Sequence, residues 1–226
     1  MKRTLLLLLL FASVSLVVQA TPCVSGATLA SYIALGSGGC TFDGLLFNNF
    51  DYTNPASGGG VSPDPTGVDV KTVSGTEAGL EFVGSWLAGD NQTSDGNIAY
   101  SVTCIGCEID DLVLSMDGFG LGSGVASVAE TATWGSNTVG LGTASSVGFT
   151  QFTDSIDITP TGSLNLTKDI GASGGSDGVG HVSSASNLFS TSGTPPPPIP
   201  EPSLLFFCSG LVGSLLVARR QVRRSK

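Results

Sequence analysis

The chain has 226 residues, of which 32 are Gly, 5 are Cys and 1 is His, and only 12% are charged. Its 9 Lys plus Arg cluster at the two ends, so that between Arg3 and Arg219 only Lys71 and Lys168 balance all 18 Asp plus Glu. A body that acidic cannot neutralise phosphates, which excludes nucleic-acid binding and seating on an anionic membrane surface, and one His leaves no room for a His-rich metal site or a histidine relay.

Residues 1–20 read as a secretory signal peptide. Lys2 and Arg3 form a positive start, Leu5 to Val18 is apolar apart from Ser13 and Ser15, and Val18-Gln19-Ala20 offers the cut site. Residues 21–193 are then the exported domain, long enough for a core of its own. A short helix is expected from Thr28 to Leu35, ended by the Gly36-Ser37-Gly38-Gly39 break.

Four cysteines fall in this domain: Cys23, Cys40, Cys104 and Cys107. Outside the cytoplasm an even set reads as disulfides, with three pairings open. Cys23–Cys40, tying down the mature N-terminus, and Cys104–Cys107, a local clip, are the favoured pair. The Cys104-Ile105-Gly106-Cys107 spacing also permits a redox motif or half a zinc site. The β-alternation before Cys104 differs from the helix start such a redox motif needs, and no second Cys pair completes a metal square.

The rest of the domain alternates with period two. Leu80, Phe82 and Trp86 share one parity; Ile98, Tyr100, Val102 and Cys104 another run; Ala126, Val128, Ala132 and Trp134 a third; then Ile156 and Ile158, and Leu164, Leu166 and Ile170. Each run puts apolar groups on one face and polar groups on the other. Turns are expected at Asn54-Pro55, Gly58-Gly59-Gly60, Pro63-Asp64-Pro65, Asp95-Gly96, Asp117-Gly118, Pro160-Thr161-Gly162 and Asp177-Gly178. The fold class is mainly β: an antiparallel β-sandwich or jelly roll. Trp86, Trp134, Tyr52 and Tyr100 could stack on a sugar, but the tryptophans fall in phase with the apolar face, which favours core packing.

The residues offer three candidate chemistries. Asp90, Asn91, Asp95 and Asn97 read as an acidic loop whose oxygens suit calcium, with Asp90 and Asp95 the ligands; a second group is Glu108, Asp110, Asp111 and Asp117. The EF-hand spacing fails, and a solvated acidic surface is the preferred reading, so no cofactor is expected. Gly171-Ala172-Ser173-Gly174-Gly175 matches the nucleophile-elbow pattern, with His181 the one available base. It reads as a Gly/Ser loop without the strand–turn–helix context, and the expectation is a protein that is not an enzyme. Paired carboxylates could serve a glycosidase, but no signature accompanies them.

The C-terminal residues carry the most specific pattern. A proline-rich spacer, residues 194–202, holds Pro195 to Pro198 and then Pro200-Glu201-Pro202. Successive prolines favour an extended polyproline helix. Residues 203–218 are uncharged and would span about 24 Å as a transmembrane helix, with arginines reaching the headgroups. Arg219, Arg220, Arg223 and Arg224, in the basic tail 219–226, would stop transfer and mark the cytoplasmic side. A Pro-Glu-Pro motif, a short apolar span and a terminal Arg cluster, in that order, resemble the PEP-CTERM sorting signal. Weaker similarity to exported proteins of that family covers Leu29 to Ile33, Gly39 to Phe50, Ile170 and Asn187-Leu188-Phe189.

The resemblance implies export across a bacterial inner membrane, initial anchoring with the domain in the periplasm, and passage to the cell surface or beyond by an exosortase acting near the motif. It also implies a structural role in a surface or extracellular matrix of exopolysaccharide. The alternative is a carbohydrate- or calcium-dependent adhesion module on the same anchor.

Overall fold

The structure is a computed structural model that describes residues 20–193. The signal peptide, the proline spacer, the expected transmembrane helix and the basic tail lie outside the described residues. Among those described, no helix is long and apolar enough to cross a membrane.

Two sheets stack face to face. The larger has nine strands: β1 (Thr21–Pro22), β3 (Cys40–Phe42), β4 (Leu45–Thr53), β8 (Thr93–Cys104), β14 (Ser163–Ser173), β10 (Val125–Trp134), β11 (Asn137–Ser146) and β12 (Phe149–Gln151) in that spatial order, with β5 (Ala56–Ser57) also on β8. The smaller has seven: β13 (Thr153–Thr161), β9 (Glu108–Leu121), β15 (Val179–Phe189), β7 (Ala78–Ala88), β6 (Asp69–Val73) and β2 (Ala27–Thr28), with β16 (Thr191–Ser192) on β9. Every pairing is antiparallel except β1 with β3. From β7 to β15 the chain changes sheet at most connections, the habit of a sandwich rather than a meander.

The alternation works as the residue pattern implies. Ile98, Tyr100 and Val102 on β8 point inward, as do Leu164, Leu166 and Ile170 on β14, and they meet Leu80, Phe82 and Trp86 of β7 and Val182, Ala185 and Phe189 of β15. Phe50 stacks on Tyr100 with centroids 5.3 Å apart, and Tyr32 meets Phe50 edge-on. Trp86 is fully buried, and its indole N–H donates to the Tyr52 hydroxyl, which donates to Pro63 O at 2.9 Å. Trp86 and Tyr100 are therefore core, and Tyr52 and Trp134 pack against it.

The helix α1 is shorter than expected, Leu29–Ile33, because Thr28 caps it, its Oγ1 accepting from the Ser31 N–H, and Gly36 leaves it in the left-handed region at φ 56°. Both favoured disulfides are formed. Cys23–Cys40 fastens the chain beside the β1–β3 pairing, and Cys104–Cys107 clips the turn from β8 to β9 at Gly106. Two disulfides belong to an oxidising compartment, periplasmic or extracellular.

Two expected turns are strand interior instead. Asp95-Gly96 lies within β8, because the inward position 96 is roofed by the Trp86 indole and has no room for a Cβ. Asp117-Gly118 lies within β9, opposite a bulge of β15 between Val182 and Ser184, and the His181 carbonyl closes against Gly118. In both places glycine serves close approach rather than chain reversal.

The alternation also passed over two charged residues at inward positions. Glu130 shares a face with Val128 and Ala132, and Lys168 shares one with Leu166 and Ile170. They sit opposite each other in the β10–β14 register, both side chains fully buried, with Lys168 Nζ 2.7 Å from Glu130 Oε2. The other carboxylate oxygen accepts from Asn187 Nδ2 at 2.5 Å, and Asn187 Oδ1 accepts from the Tyr100 hydroxyl at 3.0 Å. Asn187 comes from β15, so this network joins the two sheets through the middle of the core.

Candidate functional site

The outer face of the larger sheet is built from the odd-numbered positions of its central strands. Thr93, Asp95, Asn97, Ala99 and Ser101 project from β8; Asn165, Thr167, Asp169, Gly171 and Ser173 from β14; Ser127, Ala129 and Thr131 from β10. The register places Asp95 opposite Gly171, Asp169 between Asn97 and Ala129, and Gly171 beside Ser127. Because Gly171 has no side chain and Ala129 little, the sheet carries a depression of about 250 Å³ there. Thr93, Asp95, Ser127, Asp169 and Ser173 line it.

Asp95 is the chemically unusual member. Burial, first, and then hydrogen bonding and charge from Asp169 push its carboxyl up to about 6, against the pull of the Gly96 N–H. Its Oδ1 is buried with no hydrogen-bond partner. Its own backbone N–H is held by Ser62 Oγ and Pro55 O, so the loop after β4 braces the residue from behind. The site thus offers a rigid acceptor lacking a donor, a second carboxyl diagonal to it, and a ring of hydroxyls.

The expected acidic loop is divided. Asp90 and Asn91 lie in the turn before β8, whereas Asp95 and Asn97 are on the strand, so these four do not form one loop. Among the described residues no group of three or more His, Cys, Asp and Glu is gathered for a metal. In the second acidic group Asp111 is engaged structurally, accepting from the N–H and Oγ of Ser190 at 2.8 Å each. The expected Gly/Ser loop is strand as far as Ser173, the last residue of β14, and Ser173 and His181 are on opposite outer faces. Ser173 lines the depression, while His181 Nε2 lies 3.2 Å from Ser85 Oγ and its ring packs against exposed Phe119.

Pro200, Glu201 and Pro202 and the arginines of the tail lie outside the described residues. Sequence reasoning missed Asp169 and Ser127, because only strand register brings them to Asp95. It also missed the exposed aromatics Phe119, Phe149 and Phe152.

No protein-family model matches the chain, and no curated protein does. Matching solved structures include TmCBM61 in complex with β-1,4-galactotriose, at 13% identity over 60% of this chain and 86% of that one, with a TM-score of 0.31. A second is the enzymatically active domain of tailspike protein 4 of bacteriophage CBA120, at 14% identity, TM-score 0.28, over 62% of this chain and 19% of that one. A third is a family 11 carbohydrate-binding module from Clostridium thermocellum with a mixed-linked tetrasaccharide, at 11% identity over 60% and 87% of the two chains and a TM-score of 0.22.

Proposed function

We propose that this chain is an exported surface or matrix protein, delivered through Pro200-Glu201-Pro202 and an exosortase, that binds extracellular polysaccharide on the outer face of its larger sheet. The role is one of binding and structure, not catalysis. One observation carries the binding reading: a buried Asp95 oxygen without a donor, in a depression rimmed by Ser and Thr hydroxyls and Asp169. A polyhydroxylated ligand supplies the missing donor and exchanges hydroxyl hydrogen bonds with the rim, and the breadth of the sheet suits an extended chain of sugars. The disulfides fit a ligand met outside the cytoplasm.

The test has two arms. Retention of the chain on polysaccharide from its host is expected to fall about tenfold, near 1.4 kcal/mol, in Asp95→Ala with Asp169→Ala. Undiminished retention refutes the face, and loss of binding with a chelator would show that a cation bridges the two carboxyls. For delivery, removal of residues 219–226 is expected to let the precursor escape the membrane; equal retention with and without the tail refutes the sorting reading.

A further inference from the structure

We propose that Lys168 and Asn187 become joined by an intramolecular amide bond, with Glu130 as proton shuttle, so that the two sheets are covalently cross-linked through the core. The proposal is independent of the polysaccharide reading.

The geometry is that of a nucleophile, a leaving group and one proton carrier between them. The two oxygens of the Glu130 carboxyl touch two different nitrogens: Oε2 the Lys168 amine at 2.7 Å, Oε1 the Asn187 carboxamide nitrogen at 2.5 Å. The Tyr100 hydroxyl donates to the carbonyl oxygen of that same carboxamide at 3.0 Å. That is where negative charge develops when an amine adds to the carbon, so Tyr100 occupies the oxyanion-stabilising position. Lys168, Asn187 and Glu130 are at most 2% exposed, and Tyr100 is 2% exposed.

As a static ion pair the arrangement is costly, since among the described residues the three N–H donors of the Lys168 ammonium meet one acceptor, the Glu130 carboxylate. Removing two charges from water costs more than their attraction returns unless every polar group is satisfied. Burial lowers the Lys168 amine from its ordinary range, while the charge and hydrogen bond of Glu130 hold it up. Moving the shared proton from Nζ to Oε2 gives a neutral amine and a neutral carboxylic acid, and the amine is then a nucleophile held by the same carboxyl that holds the carboxamide.

The step balances without any co-reactant. Nζ attacks Cγ of Asn187, forming a C–N bond, and Tyr100 holds the oxyanion. Glu130 gives the proton it took from Nζ to Nδ2, and the Cγ–Nδ2 bond breaks. One further Nζ proton is lost through the same carboxyl, and the products are a secondary amide and one ammonia. A dry core keeps water from competing as nucleophile, and fixed strands hold the groups at high effective concentration.

The experiment is intact-mass measurement of the folded full-length chain, followed by reduction, cleavage at acidic residues and fragment sequencing. Asp177 lies between the two partners, so cleavage there separates their segments unless they are bonded. The expected result is a mass lower by one ammonia, beyond the disulfide hydrogens, and a branched peptide joining Lys168 to Asn187. Both should vanish in Asn187→Ala and in Glu130→Gln. Full mass with unbranched Lys168 and Asn187 peptides in the unsubstituted chain overturns the proposal, whether or not the variants fold. A deficit of ammonia without the branched peptide, from an imide elsewhere, overturns it as well.

Discussion

Asp95→Asn isolates the electrostatics of the candidate site. The substitution keeps the shape of the side chain and removes its charge. In the folded protein the Asp95 carboxyl is raised to about 6 from 3.8, so between those values the folded state holds a proton that the unfolded state has lost. Its contribution to stability is therefore fully present below about pH 4 and declines as pH rises through about 6. The shift of roughly two units sets a ceiling of about 3 kcal/mol. The site opens to solvent, and screening there reduces the expected effect to about 1 kcal/mol. Urea unfolding with disulfides intact, followed by fluorescence of buried Trp86, would measure it. Asp95→Asn should match the unsubstituted chain near pH 3, where Asp95 is neutral both folded and unfolded, and exceed it near pH 7.5 by about 1 kcal/mol, or roughly 2–4 °C in Tm. An equal difference at the two pH values, or a variant less stable near neutrality, would refute the reasoning that Asp95 is strained by Asp169 and burial.

Gly96→Ala places a methyl group against the Trp86 indole, and with no open space on that side it should cost about 1–3 kcal/mol in urea unfolding, whereas alanine at outward Gly142, which meets no neighbour, should cost little. Replacing Cys23 and Cys40 together by Ser frees a segment with a sequence separation of 17 and should lower stability by about 3 kcal/mol, read as a fall in the denaturation midpoint. The Cys104–Cys107 clip, with a separation of 3, closes a far smaller loop and should contribute less by the same measurement.

What could be read from the residues was what depends on neighbours in sequence. Alternation at Ile98, Tyr100 and Val102 identifies a half-buried strand, and Thr28 followed by a Gly-rich stop identifies a short capped helix. The favoured cysteine pairs followed from position along the chain. What was missed depends on partners far away. Asp95-Gly96 has the composition of a turn, and only the indole packed above position 96 makes it strand interior. Asp169 faces solvent like any strand acid until register sets it diagonal to Asp95. Glu130 and Lys168 were in phase with the apolar residues all along, but a hydropathy pattern treats charge as an outward signal. The cue was present: Lys168 is one of two lysines in the acidic body, and it keeps the parity of Leu164, Leu166 and Ile170.

Strands that are neighbours in space are often remote along the polypeptide: β4 lies on β8, β8 on β14, and β9 on β15. Such pairings close long loops before any reward arrives, so this architecture forms slowly, on the millisecond-to-second scale. If the chain is exported as proposed, slowness is an advantage, since a chain that has not yet collapsed can still be threaded through a narrow translocation pore.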